Sequence, residues 1–586
     1  MTQIRGSSKE TVVRPLKTSV SVSKSLRNAR NPVALIFITA VTAFAVCVAP
    51  DSQIDAFARS PSQLNSVQPL HNPDLVCAGC HREIYDAYER TPMARGSGMA
   101  VDGLLQGSFL HAPSGIRYSV FLRDGKAWMS YERDQKPSLK GEEQLIYYIG
   151  SGHRGRTYLY QNNSQWFEAP INFYSKKHIW DMAPNYGSTR TLPAALPVDS
   201  NCLHCHATSV QVALPEARNK YQGAPFLQGG VGCSACHGDP SKHLAEEGHG
   251  LIVNPAKLAP AQRDSVCLQC HLEGDVAIYR TDKSLAQFRP GDNLADYAVY
   301  FVKASAESGG GRASSQYEAL LRSKCKIASG DKLTCTTCHD PHRSPSPQDR
   351  VAYFRSKCLS CHTGVQMAAR HHPEEPDCTA CHMPVRNTSD ISHEQRTDHD
   401  IRILPSLQLN EIAGSDQLVP VGGVSAGPRE LGLAYAQLAE RGDQQAGEKA
   451  LGLLRKAEQD GTTDVQVHTQ IGFLEQMSGD QMAARKEYAE ALSEDPYDAT
   501  AMANLAVLDA ASGHTADAIH LLQRVVEADP SQTAAGLDLA FIDCRMGQKG
   551  EAVKILNSIS VLNPDDPALR KFATSGIYGG QQCDLR

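Results

Sequence analysis

Hydrophobic and polar residues alternate along one stretch of the chain in the manner of strands with one buried face. Residues 115–133 form two such runs, and Asp124-Gly125 between them favours a tight turn. The pattern therefore predicts a β-hairpin. Similar runs predict further strands around residues 145–149, 157–161 and 166–174. Together they indicate a small β-rich insertion at about residues 104–195.

A second pattern repeats every 34 residues near the C-terminus, in helix-favouring sequence. The recurring positions are Pro496, Pro530 and Pro564; Gly479, Gly513 and Gly547; and Ala484, Ala518 and Ala552. Small residues at Gly472, Ala506 and Ala540 align against large ones at Tyr488, Leu522 and Leu556. This period resembles a tetratricopeptide domain, with three clear repeats after a degenerate copy at about 429–462. An α-solenoid is predicted over residues 429–570.

The segments that flank the predicted solenoid carry weaker signals. Residues 403–428 contain Pro and Gly without a clear period and predict a linker, and 571–586 form a C-terminal tail. Cys544 and Cys583 can pair with each other, although the sequence does not decide this. Solenoid grooves dock partner peptides or subunits, and the alternative is a stabilising or self-associating cap.

The N-terminal 58 residues have the order of a secretory signal. Seven basic residues precede an uncharged run, Val33 to Ala49, and Ala56-Phe57-Ala58 is a small-x-small cleavage site. An uncleaved membrane anchor is the alternative, because a run of this length is at the lower limit for a bilayer span. We expect export to the periplasm of a bacterium or to the outer face of its cytoplasmic membrane.

Seven Cys-x-x-Cys-His motifs lie between these two ends of the chain. Two cysteines three residues apart can form thioethers to the vinyl groups of one haem, and the adjacent His then binds the iron. The cysteines are Cys77 and Cys80, Cys202 and Cys205, Cys233 and Cys236, Cys267 and Cys270, Cys335 and Cys338, Cys358 and Cys361, and Cys378 and Cys381. The proximal histidines are His81, His206, His237, His271, His339, His362 and His382.

Zinc is the competing interpretation, because paired Cys-x-x-Cys units also form zinc sites. Zinc does not require a His directly after every second cysteine, so the pattern favours seven covalently attached haem c groups. The last six motifs lie close together in the sequence, which leaves no room for a separate core around each haem. We therefore expect packed porphyrins joined by short helices and loops over residues 59–402.

The same region contains enough further histidines to give each iron a second ligand. His342 follows the rigid Pro341 turn after the fifth motif, and His243 lies six residues after His237. His393 and His399 follow the last motif. In the β-rich insertion, His111 is preferred over His153 and His178, each of which could reach over a haem. These positions predict His342, His243, His393, His399 and His111 as distal iron ligands.

Composition and net charge limit the classes of partner that we expect this protein to bind. The chain is 41% hydrophobic and 21% charged with a net charge of −6, which is typical of globular proteins. Without residues 1–58 the charge becomes −10, because 51 basic residues then face 61 acidic ones. This balance argues against nucleic acid as a partner and permits a basic redox protein.

Three motif-containing stretches carry a family resemblance. CTTCHDPH, DCTACHMP and DHDIR resemble the multihaem superfamily that includes ammonia-forming nitrite reductase, hydroxylamine oxidoreductase, octahaem tetrathionate reductase and the tetrahaem cytochrome that accepts electrons from hydroxylamine oxidoreductase. GVGCSACHGDPSKH is similar to the last of these. The resemblance implies distal roles for His342 and His243. All seven motifs carry His, whereas the active haem of that nitrite reductase is usually held by Lys.

These observations predict a multidomain protein. A haem-packed, mainly α-helical and irregular cytochrome region with a β-rich insertion precedes an α-solenoid of tetratricopeptide repeats. The favoured function is electron relay along packed haems, with the repeats docking a protein partner. The alternatives are an oxidoreductase that acts on a small nitrogen or sulfur compound at one open haem, and an assembly protein in which the haems are structural.

Overall fold

The computed structural model describes residues 69–135, 137–304, 311–362, 376–402 and 417–585. The predicted secretory segment at 1–58 and residues 403–416 of the predicted linker lie outside these ranges. None of the helices in the described ranges has the length and hydropathy of a transmembrane span.

An antiparallel sheet forms the β-rich part of the chain. Its strands are β1 (Ser97–Met99), β2 (Gly107–His111), β3 (Ile116–Arg123), β4 (Lys126–Arg133), β5 (Leu139–Ile149), β6 (Gly155–Asn162), β7 (Gln165–Tyr174), β8 (Ile179–Met182) and β9 (Leu196–Pro197). They follow the order β2 to β8, while β1 pairs with β5 and β9 with β7. The sheet curls so that β8 lies near the start of β2. The Trp180 indole on β8 donates a hydrogen bond to the Leu105 carbonyl just before β2, at 3.1 Å.

The predicted hairpin is confirmed at its turn. Asp124 and Gly125 both have positive φ angles, 52° and 70°, between strands that pair up to Arg123 and Lys126. Two such residues give the turn that matches the right-handed twist of the flanking strands. The alternating side chains Ile116, Tyr118 and Val120 of β3 are buried in the core of the curled sheet.

Short helices and small sheets surround the motifs. The helices are α1 (Leu75–Ala78), α2 (Arg82–Tyr88), α3 (Ser200–His204), α4 (Ser234–His237), α5 (Ser241–Ala245), α6 (Pro260–His271), α7 (Gln316–Arg322), α8 (Lys324–Ser329), α9 (Cys335–Cys338), α10 (Arg350–Leu359) and α11 (Cys378–His382). The strands are β10 (Ala207–Val210), β11 (Phe226–Gly229), β12 (Val276–Tyr279), β13 (Ala298–Lys303), β14 (Val385–Asn387), β15 (Gln395–Thr397) and β16 (Leu418–Pro420). Helices α4, α5 and α8 to α11 contain no buried residue.

Long paired helices form the C-terminal part. They are α12 (Pro428–Glu440), α13 (Gln444–Gln459), α14 (Val465–Ser478), α15 (Gln481–Glu494), α16 (Ala499–Ala511), α17 (Thr515–Ala528), α18 (Thr533–Arg545), α19 (Lys549–Leu562) and α20 (Pro567–Ser575). A Cβ atom on Gly472 would lie 2.7 Å from the Tyr488 ring, so this position has to be small. The prediction of helical repeats is confirmed, and the degenerate first copy corresponds to α12 and α13.

The solenoid contacts the rest of the protein at both ends. At its start, Leu433 and Tyr435 of α12 share a core with Val299 and Phe301 of β13. Within the predicted linker 403–428, residues 418–420 form β16, which pairs with β13. The linker therefore joins the sheet before the solenoid begins.

The far end of the solenoid is held by a buried carboxylate. Asp565, after α19, forms a 2.5 Å ion pair with Arg133 of β4, and the two side chains are 0% and 8% exposed. Asp565 also accepts a hydrogen bond from the Leu192 backbone nitrogen at 2.7 Å and pairs with Arg570. Leu562 of α19 belongs to the core of the curled sheet.

A C-terminal hairpin covers the last repeat. Its strands are β17 (Ile577–Tyr578) and β18 (Gln581–Gln582), and a disulfide joins Cys544 to Cys583, which confirms the suggested pair. The Tyr578 hydroxyl donates to Asp538 of α18 at 2.8 Å, and its ring packs against Phe541 and Phe572.

Candidate haem-attachment site

One continuous cavity of about 4690 Å³ contains the motif side chains. All fourteen motif cysteines and all seven motif histidines line it. One seventh of this volume, about 670 Å³, lies within the roughly 300–1,000 Å³ of an ordinary pocket for one bound molecule. The cavity therefore has the size that seven large cofactors require.

Each motif is presented by a short helical turn. The His81 backbone nitrogen donates to the Cys77 carbonyl at 2.8 Å, and the same bond joins His237 to Cys233 at 2.9 Å. A helical turn brings residues three apart onto one side, so the two cysteines can reach the same macrocycle. The donor set fits a covalently attached haem, which needs two thioether positions and one imidazole.

Three motif histidines face a second imidazole across the cavity. The ring centroids of His81 and His243 are 6.4 Å apart, those of His237 and His342 are 6.0 Å apart, and those of His339 and His399 are 6.3 Å apart. The rings are inclined by 16°, 7° and 28°. Two metal–imidazole bonds of about 2 Å, with two ring radii, give a centroid separation of about 6.3 Å. The spacing therefore accommodates one iron between each pair.

Backbone carbonyls orient several of these rings. The Nδ1 atoms of His237, His243 and His399 donate to the carbonyls of Val253, Gly250 and Thr397 at 2.8, 3.1 and 2.9 Å. His382 Nδ1 donates to the Arg402 carbonyl at 2.6 Å. A ring that donates through Nδ1 keeps the lone pair of Nε2 for a metal, which is the usual arrangement of metal-binding histidines.

Burial keeps the imidazoles in the form that binds metal. It lowers the pKa of His339 to about 4 and also lowers the pKa values of His206, His271, His342 and His399. These side chains are therefore neutral near pH 7, as iron ligation requires.

Thiols of different motifs lie close enough to shift each other's pKa. The pairs are Cys77 and Cys233, Cys205 and Cys270, Cys267 and Cys335, and Cys358 and Cys378. They connect the first motif with the third, the second with the fourth, the fourth with the fifth, and the sixth with the seventh. Redox groups attached at these positions would be close neighbours.

Two predicted distal ligands do not lie in the cavity. His111 is buried beside β3, where its Nδ1 accepts from the Ser114 hydroxyl at 2.8 Å and its Nε2 donates to the Gly187 carbonyl at 3.1 Å. His393 Nε2 donates to Asp181 at 2.7 Å. Hydrogen bonds inside the protein therefore occupy these rings, and we withdraw both as distal ligands.

His153 is the insertion histidine that lines the cavity. Its position in the sequence had made it a weaker candidate than His111. It lies between β5 and β6, in a loop with Gly152. Its place between two predicted strands, at 145–149 and 157–161, was the signal that the sequence offered. Met93 and Cys325 also line the cavity.

Comparisons with protein families match three parts of the chain. Residues 173–238 match the model described as cytochrome c554 and c-prime, and 326–367 match the doubled CXXCH motif. Residues 477–531 and 509–575 match tetratricopeptide repeats. None of the curated proteins matches the chain. The matches support covalently bound haem c, haem-based electron transfer and a C-terminal repeat region of the kind that binds proteins.

Solved structures with some likeness include MamA from AMB-1, PilF from Pseudomonas aeruginosa, and YrrB, a TPR protein with an unusual peptide-binding site. Their identities are 18%, 21% and 17%, and each match covers 25% of this chain. The matches cover 81%, 66% and 72% of those chains, with TM-scores of 0.23, 0.22 and 0.22. Scores this low carry no structural argument, and the repeat assignment rests on the family match and the helix pairs.

Proposed function

We propose that this protein is an exported seven-haem c-type cytochrome that relays electrons and docks a protein partner through its repeats. The observation that carries the proposal is the single cavity lined by every motif cysteine and motif histidine. Haem, when bound, supplies one-electron redox chemistry. The closeness of cysteines from different motifs supports a connected path for electrons.

The facing imidazoles favour relay over catalysis. His243, His342 and His399 each lie opposite a motif histidine, where they would occupy the second axial position of an iron. An iron with two protein ligands has no free position for a substrate. The hydrogen bonds from Nδ1 to backbone carbonyls hold His243 and His399 in this orientation, which would limit reorganisation during electron transfer.

The repeats would hold a redox partner at a fixed place relative to the cavity. The solenoid is attached through α12 at one end and Asp565 at the other, so a bound partner would not swing on a tether. The partner class is a redox protein, or a peptide or subunit of its complex. Attachment to the membrane would come from the N-terminal segment if that segment is not cleaved.

Export rests on the N-terminal sequence and on the cysteine chemistry. The Cys544–Cys583 disulfide is of the kind that persists in oxidising compartments. The periplasm of a bacterium, or the outer face of its cytoplasmic membrane, provides such conditions. Cell fractionation of the full chain, with mass spectrometry of the mature N-terminus, would test the compartment and cleavage together.

The central test combines haem quantitation with spin-state spectroscopy. We expect seven covalent haems for each chain. His342→Ala should convert one haem from low spin to high spin, about one seventh of the total signal. His393→Ala is the matched control and should leave the spin state unchanged. Fewer than seven haems, or no spin change in His342→Ala, would contradict the proposal.

A second candidate is an oxidoreductase acting at one open haem on a small nitrogen or sulfur compound. The favouring observation is a polar wall on the insertion, where His153, Arg154 and Glu168 line the cavity. Arg154 lies close enough to His271 to lower its pKa, after burial as the larger cause. A high-spin haem that binds carbon monoxide in the unmodified protein would favour this function, whereas seven low-spin haems would exclude it.

A further inference from the structure

A bulge in the curled sheet places one carboxyl at the boundary of the haem cavity. Strand β6 pairs Thr157 with Asn172 and Leu159 with Glu168, so β7 contains two extra residues between these pairs. Pro170 lies within the extra segment and has no N–H to donate. Bulges re-aim side chains and are frequent beside functional sites. Here the bulge brings Glu168 into the cavity wall.

Glu168 also borders a second, much smaller cavity. This space of about 10 Å³ is near the minimum for one water molecule and is lined by Tyr131, Glu143 and Tyr160 as well as Glu168. Glu143, on β5, is 5% exposed. Glu168 therefore borders both the haem cavity and a small space that contains a second carboxyl, Glu143, with apolar residues such as Met129 and Leu192 completing its lining.

The charge environment of Glu168 suits a proton carrier. Its Oε1 accepts a hydrogen bond from the Thr157 hydroxyl at 3.2 Å. Burial raises the pKa of Glu168 to about 7, and the Thr157 bond lowers it only in part. The titratable groups that face it are Tyr131, Glu143, Tyr160, Tyr174, Tyr186 and Cys202. The basic side chains His153 and Arg154 line the same cavity, but neither is among the causes that shift the pKa of Glu168.

The haem-attachment site beside Glu168 is the second motif, which contains Cys202. The charge of Glu168 acts on the Cys202 thiol, together with burial and Asp199, which come first. Cys202 and Cys205 belong to the second motif. An electron added at this site makes a nearby ionised carboxylate less favourable, because like charges repel strongly where water is excluded.

We propose that Glu168 is a redox-linked proton carrier for the haem attached through Cys202 and Cys205. One electron from a one-electron donor protein enters this site, and one proton from solvent binds the Glu168 carboxylate. Oxidation releases both. The water-sized cavity and Glu143 form the inner part of the proton path. The inference rests on the proposed function, because it requires haem at the second motif.

The test is a redox titration of the haem-loaded full chain between about pH 5 and pH 9, with dithionite as reductant. The Glu168 pKa is higher in the reduced state, so the midpoint potential of one haem should fall as pH rises through the region near pH 7. The slope there should approach a tenfold change in the reduction equilibrium per pH unit. Below and above this region the potential should be constant.

Glu168→Gln should abolish this pH dependence. Glu394→Gln is the matched control, because Glu394 is another cavity-wall carboxyl whose pKa is raised by burial. It should retain the dependence. Glu143→Gln should keep the slope and slow proton uptake after rapid reduction. Loss of the slope in Glu394→Gln but not in Glu168→Gln would overturn the proposal.

Infrared difference spectroscopy of the unmodified protein gives a second readout that needs no variant. Reduction should produce the carbonyl band of one newly protonated carboxyl. Its absence would overturn the inference even if Glu168→Gln does not fold. If no covalent haem is found at all, the proposed function itself fails. If seven haems are present with potentials independent of pH, only the role of Glu168 fails.

Discussion

Helices of the haem region and helices of the solenoid differ in how many of their own residues they bury. The nine helices α12 to α20 each bury two or more of their own residues, and α12 alone buries eight. In contrast, the helices that carry the fifth and seventh motifs, α9 and α11, bury none. Their surroundings are a cavity of about 4690 Å³. The solenoid helices therefore pack on their own side chains, whereas these two motif helices do not.

The largest expected effect comes from withholding haem. Without covalent haem, residues 324–402 lose the apolar body that they surround, whereas the solenoid keeps its side-chain core. We expect proteases to digest 324–402 in the haem-free chain and to leave 428–585 protected. Mass spectrometry of the fragments is the measurement, with the haem-loaded chain as control. Equal protection of both regions would contradict the comparison.

Removing the buried carboxylate at the end of the solenoid should have the next largest effect. Asp565→Ala leaves Arg133 as a buried, unpaired charge, so we expect a loss of about 3–5 kcal/mol in the free energy of unfolding. Urea denaturation followed by circular dichroism measures it. The exposed pair Arg82–Asp86 is the control, and Asp86→Ala should cost about 1 kcal/mol or less. Equal losses would mean that the contact does not fasten the solenoid.

The disulfide should matter less, and only for the repeats. Cys583→Ser opens the bridge to Cys544, and we expect a loss of about 2–4 kcal/mol in solenoid stability, because the unfolded chain gains freedom. Haem content should be unchanged, since thioether attachment uses other cysteines. Adding Cys544→Ser to this variant should lower its stability further by no more than a few tenths of a kcal/mol. If each of the two substitutions lowered the stability independently, so that their effects added, the result would argue against the disulfide.

The smallest effect tests the packing of one repeat. Gly472→Ala places a methyl group against the Tyr488 ring and should cost about 1–3 kcal/mol in unfolding free energy. Gly452→Ala is the control, because in the part of the chain that the structure describes its added Cβ would meet no atom within 4 Å beyond its chain neighbours and the backbone of its own helix. That change should stabilise helix α13 by about 0.5–1 kcal/mol. Thermal unfolding of both variants is the measurement, and effects of the same sign would contradict the packing.

Local chemistry made part of the site predictable. A Cys-x-x-Cys-His motif brings its donors together within one helical turn, so its position needs no tertiary information. The hairpin at Asp124-Gly125 follows from nearby sequence. The small residue at Gly472 follows from its place in the 34-residue repeat. His243, His342 and His399 were also named from the sequence, but the motif histidine that each of them faces was not.

Long-range contacts explain the failures. His111 and His393 have the same side chain as the paired histidines, yet Ser114 and Asp181 bind their rings away from the cavity. Ser114 is only three residues from His111, but the Gly187 carbonyl that accepts from its Nε2 is 76 residues away, and Asp181 is 212 residues from His393. Histidine type and spacing therefore do not decide which ring reaches an iron.

The sequence by itself determined the attachment motifs and the hairpin, because bonds within a few residues specify each of them, and the helical repeats, because the same residue types recur every 34 positions. Only the tertiary structure decided which imidazoles face each other, how Asp565 fastens the solenoid to the curled sheet, and why Glu168 meets the haem cavity. Those three features depend on residues brought together from distant parts of the chain, where packing and burial set the outcome.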